Sequence, residues 1–370
     1  MDTGFLKPLY SAQGHVVSVY IDTERTTPQA GREIAARWKR TGKRLHADGA
    51  DEATLAAIET AVGSDRGRPA PWGQAIFGAD GRVLLTEELR HAPSEQDSEV
   101  STLPHTLPLL AQRSGRSAWI LAFAARTGAD FEVWGPSGRI DTQRFDGEAQ
   151  AAHKAGTAEP GEWRRQRDAE EVWEANARQA AEHLTGLAHR HGADLIVVAG
   201  DVHGRSLLVK HLGAAWQDRA VMLPERTQGS RAAGADRDRQ REAAESVAAE
   251  LENEARAGEV ERYRQALAGG GAVEGLAEVV EAVRRGEVDT LLLRHQAAAL
   301  DVPLWWGAEP GQLAADPGEL SAVRPAEVRR DPAGEVLVRA VAQFDGRVLV
   351  TSGGEPGPSG DGVGALLRHA

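Results

Sequence analysis

The sequence predicts an α/β protein built from three domains. Apolar runs of strand length alternate along the chain with segments in which apolar residues recur at helical spacing. The 370 residues exceed what one hydrophobic core usually supports. The best joints lie near Gly115 and at Gly269–Gly271, where clustered glycines indicate a flexible linker. We therefore expect domains at residues 1–115, 116–268 and 269–370.

The first third begins with a β-rich apolar run that Asp22 ends. Asp80-Gly81 lies between two short apolar segments and tolerates the positive φ angles of a tight hairpin turn. Three prolines between His91 and Leu109 indicate a loop. The predicted elements are a strand at Val16–Ile21, helices at about Gln29–Leu45 and Glu52–Val62, and hairpin strands at Gln74–Gly78 and Arg82–Thr86.

The middle third contains a long predicted helix, about Arg167–His191, which Gly192 ends. Leu195–Ala199 is a continuous apolar run of the kind buried in parallel sheets. Phe145–Gly161 is polar and shows no period. The other predicted elements are strands at Ser117–Ala124, Asp130–Trp134 and Ala220–Leu223, and helices at Ser206–Trp216 and ending near Leu267.

The last third opens with an amphipathic helix at Val273–Arg285, which Gly286 ends. Val288–Leu293 is the next predicted strand. A second Asp-Gly pair, Asp345-Gly346, predicts a hairpin of Glu335–Gln343 with Arg347–Thr351.

Composition excludes several classes of protein. The absence of cysteine excludes a disulfide scaffold, a zinc ribbon, an iron–sulfur protein and a thiol nucleophile. The longest apolar run, Ala118–Ala125, is too short to span a bilayer, and the first residues lack the pattern of a signal peptide. We therefore expect a soluble, cytoplasmic protein that does not bind membranes.

The net charge of −12 argues against general coating of nucleic acid. The acid excess grows along the chain, from −2 to −4 to −6 over the three predicted domains. The last third is thus expected to bind a protein rather than phosphate.

Catalytic motifs are missing from the sequence. There is no Gly-x4-Gly-Lys-Ser/Thr loop for phosphates and no Gly-x-Ser-x-Gly elbow for a serine nucleophile. Asp194, Asp201 and His203 flank a buried strand, but the neighbouring strand ends in Ala124-Ala125-Arg126 and adds no acid for a metal. We expect no cofactor and no metal.

Two basic clusters are candidates for contact with phosphate. The first is on the helix near residue 40 and either contacts phosphate or only solvates a helix face. The second combines an aromatic ring with guanidinium groups. These groups can stack on RNA bases and bind phosphates, but the same residues can also simply form the start of a helix. The first cluster is Arg37, Lys39, Arg40, Lys43 and Arg44, and the second is Trp163, Arg164, Arg165, Gln166 and Arg167.

Three stretches resemble one known family. Residues Glu274–Leu293, with their Val-Asp-Thr-Leu-Leu strand, and the end at Asp361–His369 resemble the C-terminal domain of archaeo-eukaryotic release factors and Pelota. His153-Lys154, Trp163, Gln166-Arg167, Trp173 and Asn176 resemble the bacterial branch of that lineage, which includes mycobacterial dormancy-associated members and the hibernation factor Balon. The likeness runs in order from about Ser117 to the C-terminus.

The resemblance implies a ribonuclease-H-like middle domain and a ribosomal-protein-like α/β/α sandwich at the C-terminus. Release factors of this lineage hydrolyse peptidyl-tRNA with a Gly-Gly-Gln tripeptide at the tip of the middle-domain loop. No Gly-Gly-Gln occurs in this chain, and the corresponding loop, residues 145–166, has arginines on both sides of Gln166. The stop-codon-reading motifs of the first domain are also missing.

The resemblance therefore implies a ribosome-binding protein that enters the A site without catalysis, in ribosome hibernation or stress protection. The first domain would lie near the decoding centre, and the partner of the last domain would be elongation factor Tu or another translational GTPase. Two alternatives stay open: a rescue-type peptidyl-tRNA hydrolase or tRNA nuclease that uses Gln166 or Arg167, and a stress protein that acts only through protein partners.

The candidate rRNA-binding residues are Arg37, Lys39, Arg40, Lys43, Arg44, His153, Lys154, Trp163, Arg164, Arg165, Gln166 and Arg167. The candidate protein-binding residues are Glu278, Glu281, Arg284 and Arg285. These four lie away from the apolar helix face that Leu276, Val279, Val280 and Val283 form.

Overall fold

The computed structural model describes residues 1–12, 14–25, 27–64, 73–114, 116–136, 138–148, 162–224, 233–320, 327–351 and 356–368, with 95, 162–169 and 233–235 described by backbone alone. Contacts divide the chain into two compact units, one of Met1–Gly115 with Ala255–Ala370 and one of Arg116–Glu254. The α/β fold class is confirmed, and each predicted third carries its own sheet. The three domain boundaries stay a prediction.

The first third forms a four-stranded antiparallel sheet in the order β3-β2-β1-β4. Helices α1 and α2 cover one face, where Trp38, Leu45 and Ile58 pack against strand residues such as Val19 and Ile76. The elements are β1 (Val16–Asp22), α1 (Ala30–Ala47), α2 (Glu52–Ala61), β2 (Gly73–Ala79), β3 (Arg82–Leu89), β4 (Glu99–Ser101) and α3 (Leu107–Arg113), with 3-10 helices at Gly4–Ser11 and Glu95–Asp97.

The predicted hairpin in this third is confirmed, with φ angles of 52° at Asp80 and 74° at Gly81. The predicted loop at 91–109 is wrong in part, because it contains β4 and the first turn of α3. Strand β4 has only three residues, which is too short to show the alternation of apolar and polar residues that indicates a strand. Pro108 lies in the first turn of α3, where its missing N–H costs no helical hydrogen bond.

The middle unit contains a five-stranded sheet in the order β7-β6-β5-β8-β9. Strands β5, β8 and β9 are parallel, and β6 and β7 are antiparallel to their neighbours, which is the ribonuclease-H-like arrangement. The elements are β5 (Ala118–Ala125), β6 (Gly128–Gly135), β7 (Gly138–Asp146), α4 (Glu162–His191), β8 (Ala193–Gly200), α5 (Val202–His211), α6 (Ala214–Gln217) and β9 (Ala220–Met222).

Two helices bury opposite faces of this sheet. Leu184 and Leu187 of α4 pack against one face, and Ala244 and Ala248 of the following helix α7 (Ala233–Gly269) pack against the other. The strand β7 escapes sequence prediction because this edge strand alternates half-buried and exposed residues that are almost all polar.

The last third contains the sheet β10-β16-β11-β15, in which β11 and β15 are parallel, and the small antiparallel sheet β13-β12-β14. The elements are β10 (Ala272–Glu274), α8 (Leu276–Arg284), β11 (Val288–Arg294), β12 (Pro303–Trp306), β13 (Leu313–Ala314), β14 (Arg329–Pro332), α9 (Ala333–Gln343), β15 (Arg347–Thr351) and β16 (Val363–Leu367), with 3-10 helices at Ala298–Asp301 and Pro317–Leu320.

Helices cover both faces of the larger sheet. Leu291 and Leu293 of β11 point into the core that contains α8 and α9, whereas Leu292 between them packs against Val260 and Tyr263 of α7. This alternation produces the α/β/α sandwich that the resemblance implies.

The predicted hairpin in the last third is wrong. Glu335–Gln343 is not a hairpin strand but most of helix α9, and Gly346 ends that helix with an N–H bond to the Val341 carbonyl. Residues Ala333–Ala342 of α9 are all buried, so the helix lacks the exposed polar face that distinguishes a helix from a strand in sequence. Strand β15 instead pairs in parallel with β11. A two-residue turn connects only antiparallel strands, so Asp345-Gly346 forms no hairpin here.

The glycine triplet is not a linker in the structure. Gly269 is the last residue of α7, Gly270 has a φ angle of 81°, and the Gly271 N–H donates to the Ala266 carbonyl over 2.8 Å. This is a helix C-cap, which requires a residue that tolerates positive φ. The predicted helix at Val273–Arg285 is likewise shorter, because β10 occupies its first residues.

The first and last thirds of the sequence share one core through the buried carboxylate of Glu335. Glu335 lies in the first turn of α9 and accepts hydrogen bonds from the backbone N–H groups of Thr106 (2.9 Å) and Leu107 (3.1 Å) and from the Thr106 hydroxyl (2.6 Å). It thereby satisfies the N–H groups that begin α3. The ring Nδ1 of His105 lies 3.0 Å from the same carboxylate.

The Glu335–His105 pair predicts a pH-dependent stability. Burial lowers the pKa of His105, but the hydrogen bond with Glu335 and its negative charge prevail and raise the pKa to about 9. Because an unfolded histidine titrates near 6.5, the contribution of this pair is complete below about pH 6.5 and is lost as the pH rises to about 9. We expect the urea midpoint of the protein to fall over this range.

A His105→Gln variant provides the control, because it keeps a hydrogen-bonding side chain without this titration. The variant should show a smaller fall in urea midpoint between pH 6.5 and pH 9. Equal falls in the two proteins would contradict the assignment of the titration to His105.

Candidate functional site

Helix α1 presents the first basic cluster on the side that faces away from its sheet. Ile34, Trp38 and Leu45 are buried, and the cations occupy the positions between them. The exposed members are Lys39, Arg40, Lys43 and Arg44. The predicted cluster therefore includes an exposed cationic surface on an α-helix.

Arg37 differs from the other cations of the cluster. Its guanidinium forms an ion pair with Asp22 (3.2 Å between Nη2 and Oδ2) and donates to the Asp22 carbonyl over 3.3 Å. Arg37 is half-buried and joins α1 to the end of β1. Its first role is structural, so Lys39 and Lys43, for which the described residues provide no ion-pair partner, are the stronger candidates for phosphate contact.

The second cluster lies in a helix. Sequence analysis predicts a helix start near Arg167, whereas α4 begins at Glu162, so Trp163, Arg164, Arg165, Gln166 and Arg167 occupy its first two turns. Their side chains, and all of His153 and Lys154, lie outside the described residues. The predicted loop 145–166 is shorter at both ends, because Phe145 and Asp146 belong to β7.

A buried asparagine holds the chain where it leaves β7. The side-chain amide of Asn176, on the fourth turn of α4, accepts from the Glu148 N–H (2.9 Å) and donates to the carbonyls of Glu148 (3.1 Å) and Arg126 (3.2 Å). Asn176 is 3% exposed, and these three hydrogen bonds satisfy its buried amide.

Gly147 makes this contact close. A Cβ atom on Gly147 would lie 2.4 Å from the Asn176 amide carbon, and the Gly147 N–H donates to the Thr127 carbonyl over 2.9 Å. The segment that connects β7 to α4 is therefore anchored where it leaves the sheet.

Beside this anchor, four polar and aromatic side chains meet at the carboxyl ends of β5 and β8. The Arg126 guanidinium lies 4.8 Å from the Trp173 ring, and the His203 ring meets the same indole edge-on at 5.6 Å. Asp201 pairs with Arg126 over 3.3 Å and accepts from the Gly204 N–H over 3.0 Å, which caps α5.

Trp173 is half-buried beneath Arg126. The tertiary partner of an aromatic residue cannot be read from spacing along its own helix. Only the resemblance pointed to Trp173 and Asn176 as residues with a shared role.

Metal ligands do not converge at this sheet edge. Asp201 is occupied by Arg126 and the start of α5, and Asp194 lies 3.9 Å from Arg219. In the described part of the chain, no group of three or more acidic and histidine side chains could hold a metal ion.

A further charged set holds α7 against the middle sheet. The buried carboxylate of Glu132 receives two hydrogen bonds from Arg241 (2.7 and 2.9 Å), and Arg139 lies 3.2 Å away. Burial alone would raise the pKa of Glu132, but these guanidinium groups prevail and lower it. Arg241 is thus a structural residue of a segment that in sequence shows only high arginine content.

The candidate protein-binding residues lie on α8 as the sequence predicts, outside its buried face. Three of the four form ion pairs within the chain: Arg284 pairs with Glu281 (2.8 Å) and with Glu319 (2.6 Å), and Arg285 pairs with Glu287 (2.9 Å). Glu278 and Glu281 are exposed. The surface thus offers paired charges together with the exposed carboxylate of Glu278.

Comparison with known proteins identifies relatives along the whole chain. The model of bacterial archaeo-eukaryotic release factor family 2 matches residues 118–269. Uncharacterized proteins from two strains of Mycobacterium tuberculosis are each 30% identical over 371 residues, which covers 99% of this chain and 96% of the relative. None of the helices in the described ranges combines the length and hydropathy of a membrane-spanning segment.

Several solved structures are similar at low sequence identity. Ribosome-bound archaeal Pelota with ABCE1 is 16% identical, with coverage of 99% of this chain and 94% of that one and a TM-score of 0.41. Archaeoglobus fulgidus Pelota is 16% identical, with coverage of 80% and 79% and a TM-score of 0.29. At such scores the likeness is too weak to support conclusions about this chain.

The anchor at Asn176 predicts the effect of removing it. Asn176→Ala removes a buried amide and the hydrogen bonds that it makes with the backbone of Glu148 and Arg126, which should cost about 1–3 kcal/mol. We expect a lower urea midpoint and faster hydrogen exchange at the Glu148 amide. Gln179→Ala, on an exposed position of the same helix, should change stability by less than about 0.5 kcal/mol. Equal effects of the two variants would contradict the anchor.

Proposed function

Since this chain belongs to the bacterial archaeo-eukaryotic release factor family, we propose that it is a cytoplasmic, ribosome-associated protein that occupies the A site without hydrolysing peptidyl-tRNA. Its use would be to protect idle ribosomes in hibernation or stress. The observation that carries the proposal is the segment between β7 and α4, which contains no Gly-Gly-Gln although the sheet and the anchor beneath it are intact.

The local chemistry of this segment supports binding rather than hydrolysis. Gln166 lies within α4, where a helical backbone restricts its approach to an ester bond, and arginines stand on both sides of it. Guanidinium groups bind phosphate in a bidentate manner and remain charged at all physiological pH values. Residues 163–167 would thus grip rRNA or tRNA phosphates and hold the protein in place.

The exposed cations of α1 supply a second RNA contact in this proposal. Lys39 and Lys43 are four residues apart and share a helix face. A protein with a net charge of −12 needs such local positive surfaces to approach rRNA.

The proposed protein partner is elongation factor Tu or another translational GTPase. We assign it to the α8 surface because Glu278 and Glu281 are exposed there and the surrounding third carries the largest acid excess. The shared core makes deletion of this third an unsuitable test, because it would also remove Glu335 and expose the first third.

The proposal predicts a salt-dependent association with ribosomes. Lys39→Ala/Lys43→Ala should weaken co-sedimentation and lower the slope of log affinity against log salt concentration by about 1 for each lost phosphate contact. Arg239→Ala/Arg264→Ala makes the same change in charge at exposed positions of α7 and should leave the slope unaltered. A Lys39/Lys43 variant that binds like the unmodified protein would contradict the contact at α1.

The proposal also predicts that the protein releases no peptide from ribosomes loaded with peptidyl-tRNA. A bacterial release factor on a stop codon serves as the positive control. Peptide release that is lost in Gln166→Ala but kept in Gln179→Ala would overturn the proposal and establish the rescue-type hydrolase instead.

A further inference from the structure

The small sheet of the last third carries two tryptophans, each covered by an arginine of the neighbouring strand. In the antiparallel pair of β12 and β14, Trp305 is opposite Arg330 and Trp306 is opposite Arg329. Each guanidinium carbon lies 5.5 Å from the centre of its partner ring. These are cross-strand cation–π pairs, and both arginines are exposed.

A third arginine reaches Trp306 from helix α9. The guanidinium of Arg339 lies 4.4 Å from the ring centre and donates to the Ala308 carbonyl over 2.5 Å. The residue is only 5% exposed. Burial lowers the pKa of Arg339 to about 10, and the nearby charge of Arg329 acts in the same direction.

None of these three guanidinium groups has a carboxylate within 4 Å among the residues that the structure describes. The nearest acid in sequence, Asp331, is buried and accepts a hydrogen bond from the Trp306 indole N–H over 2.7 Å. Burial raises the pKa of Asp331, although the hydrogen bond from Trp306 and the charge of Arg329 act in the opposite direction. Glu309 acts on Arg339 only through a longer distance.

Other arginines of the same third are neutralised by direct ion pairs. Arg284 pairs with Glu319 over 2.6 Å, Arg285 with Glu287 over 2.9 Å, and Arg347 with Asp289 over 2.9 Å. In contrast, Arg329 and Arg339 share one indole and repel each other. Two like charges held together without a carboxylate cost free energy that a bound anion would recover.

We propose that Arg329 and Arg330, named here the arginine strip, bind phosphate groups of an RNA backbone, and that the buried Arg339 adds positive charge beside Arg329. Stacking on an indole fixes the plane of a guanidinium and leaves its N–H edge for bidentate binding of phosphate. Adjacent residues of a strand point to opposite faces, so Arg329 and Arg330 lie on the two sides of β14. Because β14 is the edge strand of the small sheet, an RNA backbone that runs along this edge can meet both charges.

An RNA ligand fits this surface better than a protein. The indoles lie under the guanidinium groups, and Trp306 is buried, so the strip lacks the exposed apolar centre of a protein interface. The inference adds an RNA contact to a third whose net charge predicts protein binding alone. It extends the proposed function but can be tested without ribosomes.

The test uses the full chain and a 12-nucleotide single-stranded RNA of mixed sequence, with binding measured by fluorescence anisotropy at several salt concentrations. Arg329→Gln/Arg330→Gln keeps the stems that pack on the rings and removes both charges. The affinity should fall, and the salt slope should drop by about 1.4, which corresponds to two lost contacts with single-stranded RNA. Arg262→Gln/Arg264→Gln makes the same charge change at exposed positions of α7 in the same unit and should keep the slope.

An unchanged slope in the Arg329/Arg330 variant, or an equal drop in the control, would overturn the inference. Circular dichroism checks the fold, and Arg329→Lys/Arg330→Lys, which keeps the charge, should retain most of the slope if the contacts are with phosphate.

Two further probes separate the ligand sources. Thermal stabilisation by inorganic phosphate without RNA binding would assign the strip to free phosphate. Loss of poly-glutamate binding alone would assign it to an acidic protein. Either result would overturn the RNA assignment. Failure of ribosome co-sedimentation, with these RNA results intact, would count only against the proposed function.

Discussion

The structure of the larger unit depends on one buried carboxylate. Glu335 sits at the start of α9 and supplies the hydrogen-bond acceptors that the first turn of α3 lacks within its own helix. A buried charge is tolerated only when its lone pairs are satisfied, and here Thr106, Leu107 and His105 all meet it. Residues more than two hundred positions apart are thereby held in one core, so the first and last thirds of the sequence cannot be treated as independent modules.

Local periodicity predicted those elements whose burial is one-sided or very regular. Helix α1 shows Ile34, Trp38 and Leu45 at helical spacing, and β8 shows a continuous apolar run, and both appear in the structure as expected. Helix α9 was mistaken for a strand because nearly every residue in it is buried, which removes the polar face that reveals a helix. The edge strand β7 was missed for the opposite reason, since almost no residue in it is apolar.

The candidate sites show the same limit for side chains. Sequence gives the positions of the cations on α1, but only tertiary structure shows that Arg37 is held by Asp22. The sequence shows Trp305-Trp306 and Arg329-Arg330 as two separate dipeptides. Only the register of β12 with β14 places each tryptophan opposite an arginine. Net charge misleads for a similar reason: it sums over a whole segment, whereas binding depends on which charges lack a partner.

The pairing of the chain start with β15 affects the order in which the protein folds during synthesis. Met1 exchanges backbone hydrogen bonds with Val348, and the Thr3 hydroxyl donates to the Gly346 carbonyl. Because these contacts join the first residues to residues near the end of the chain, they cannot form during synthesis until β15 has left the ribosome. The unit Arg116–Glu254 is continuous in sequence and can collapse first. Until then the residues of the first third that pack into the shared core, such as Leu9 and Tyr20, lack the partners that the last third supplies.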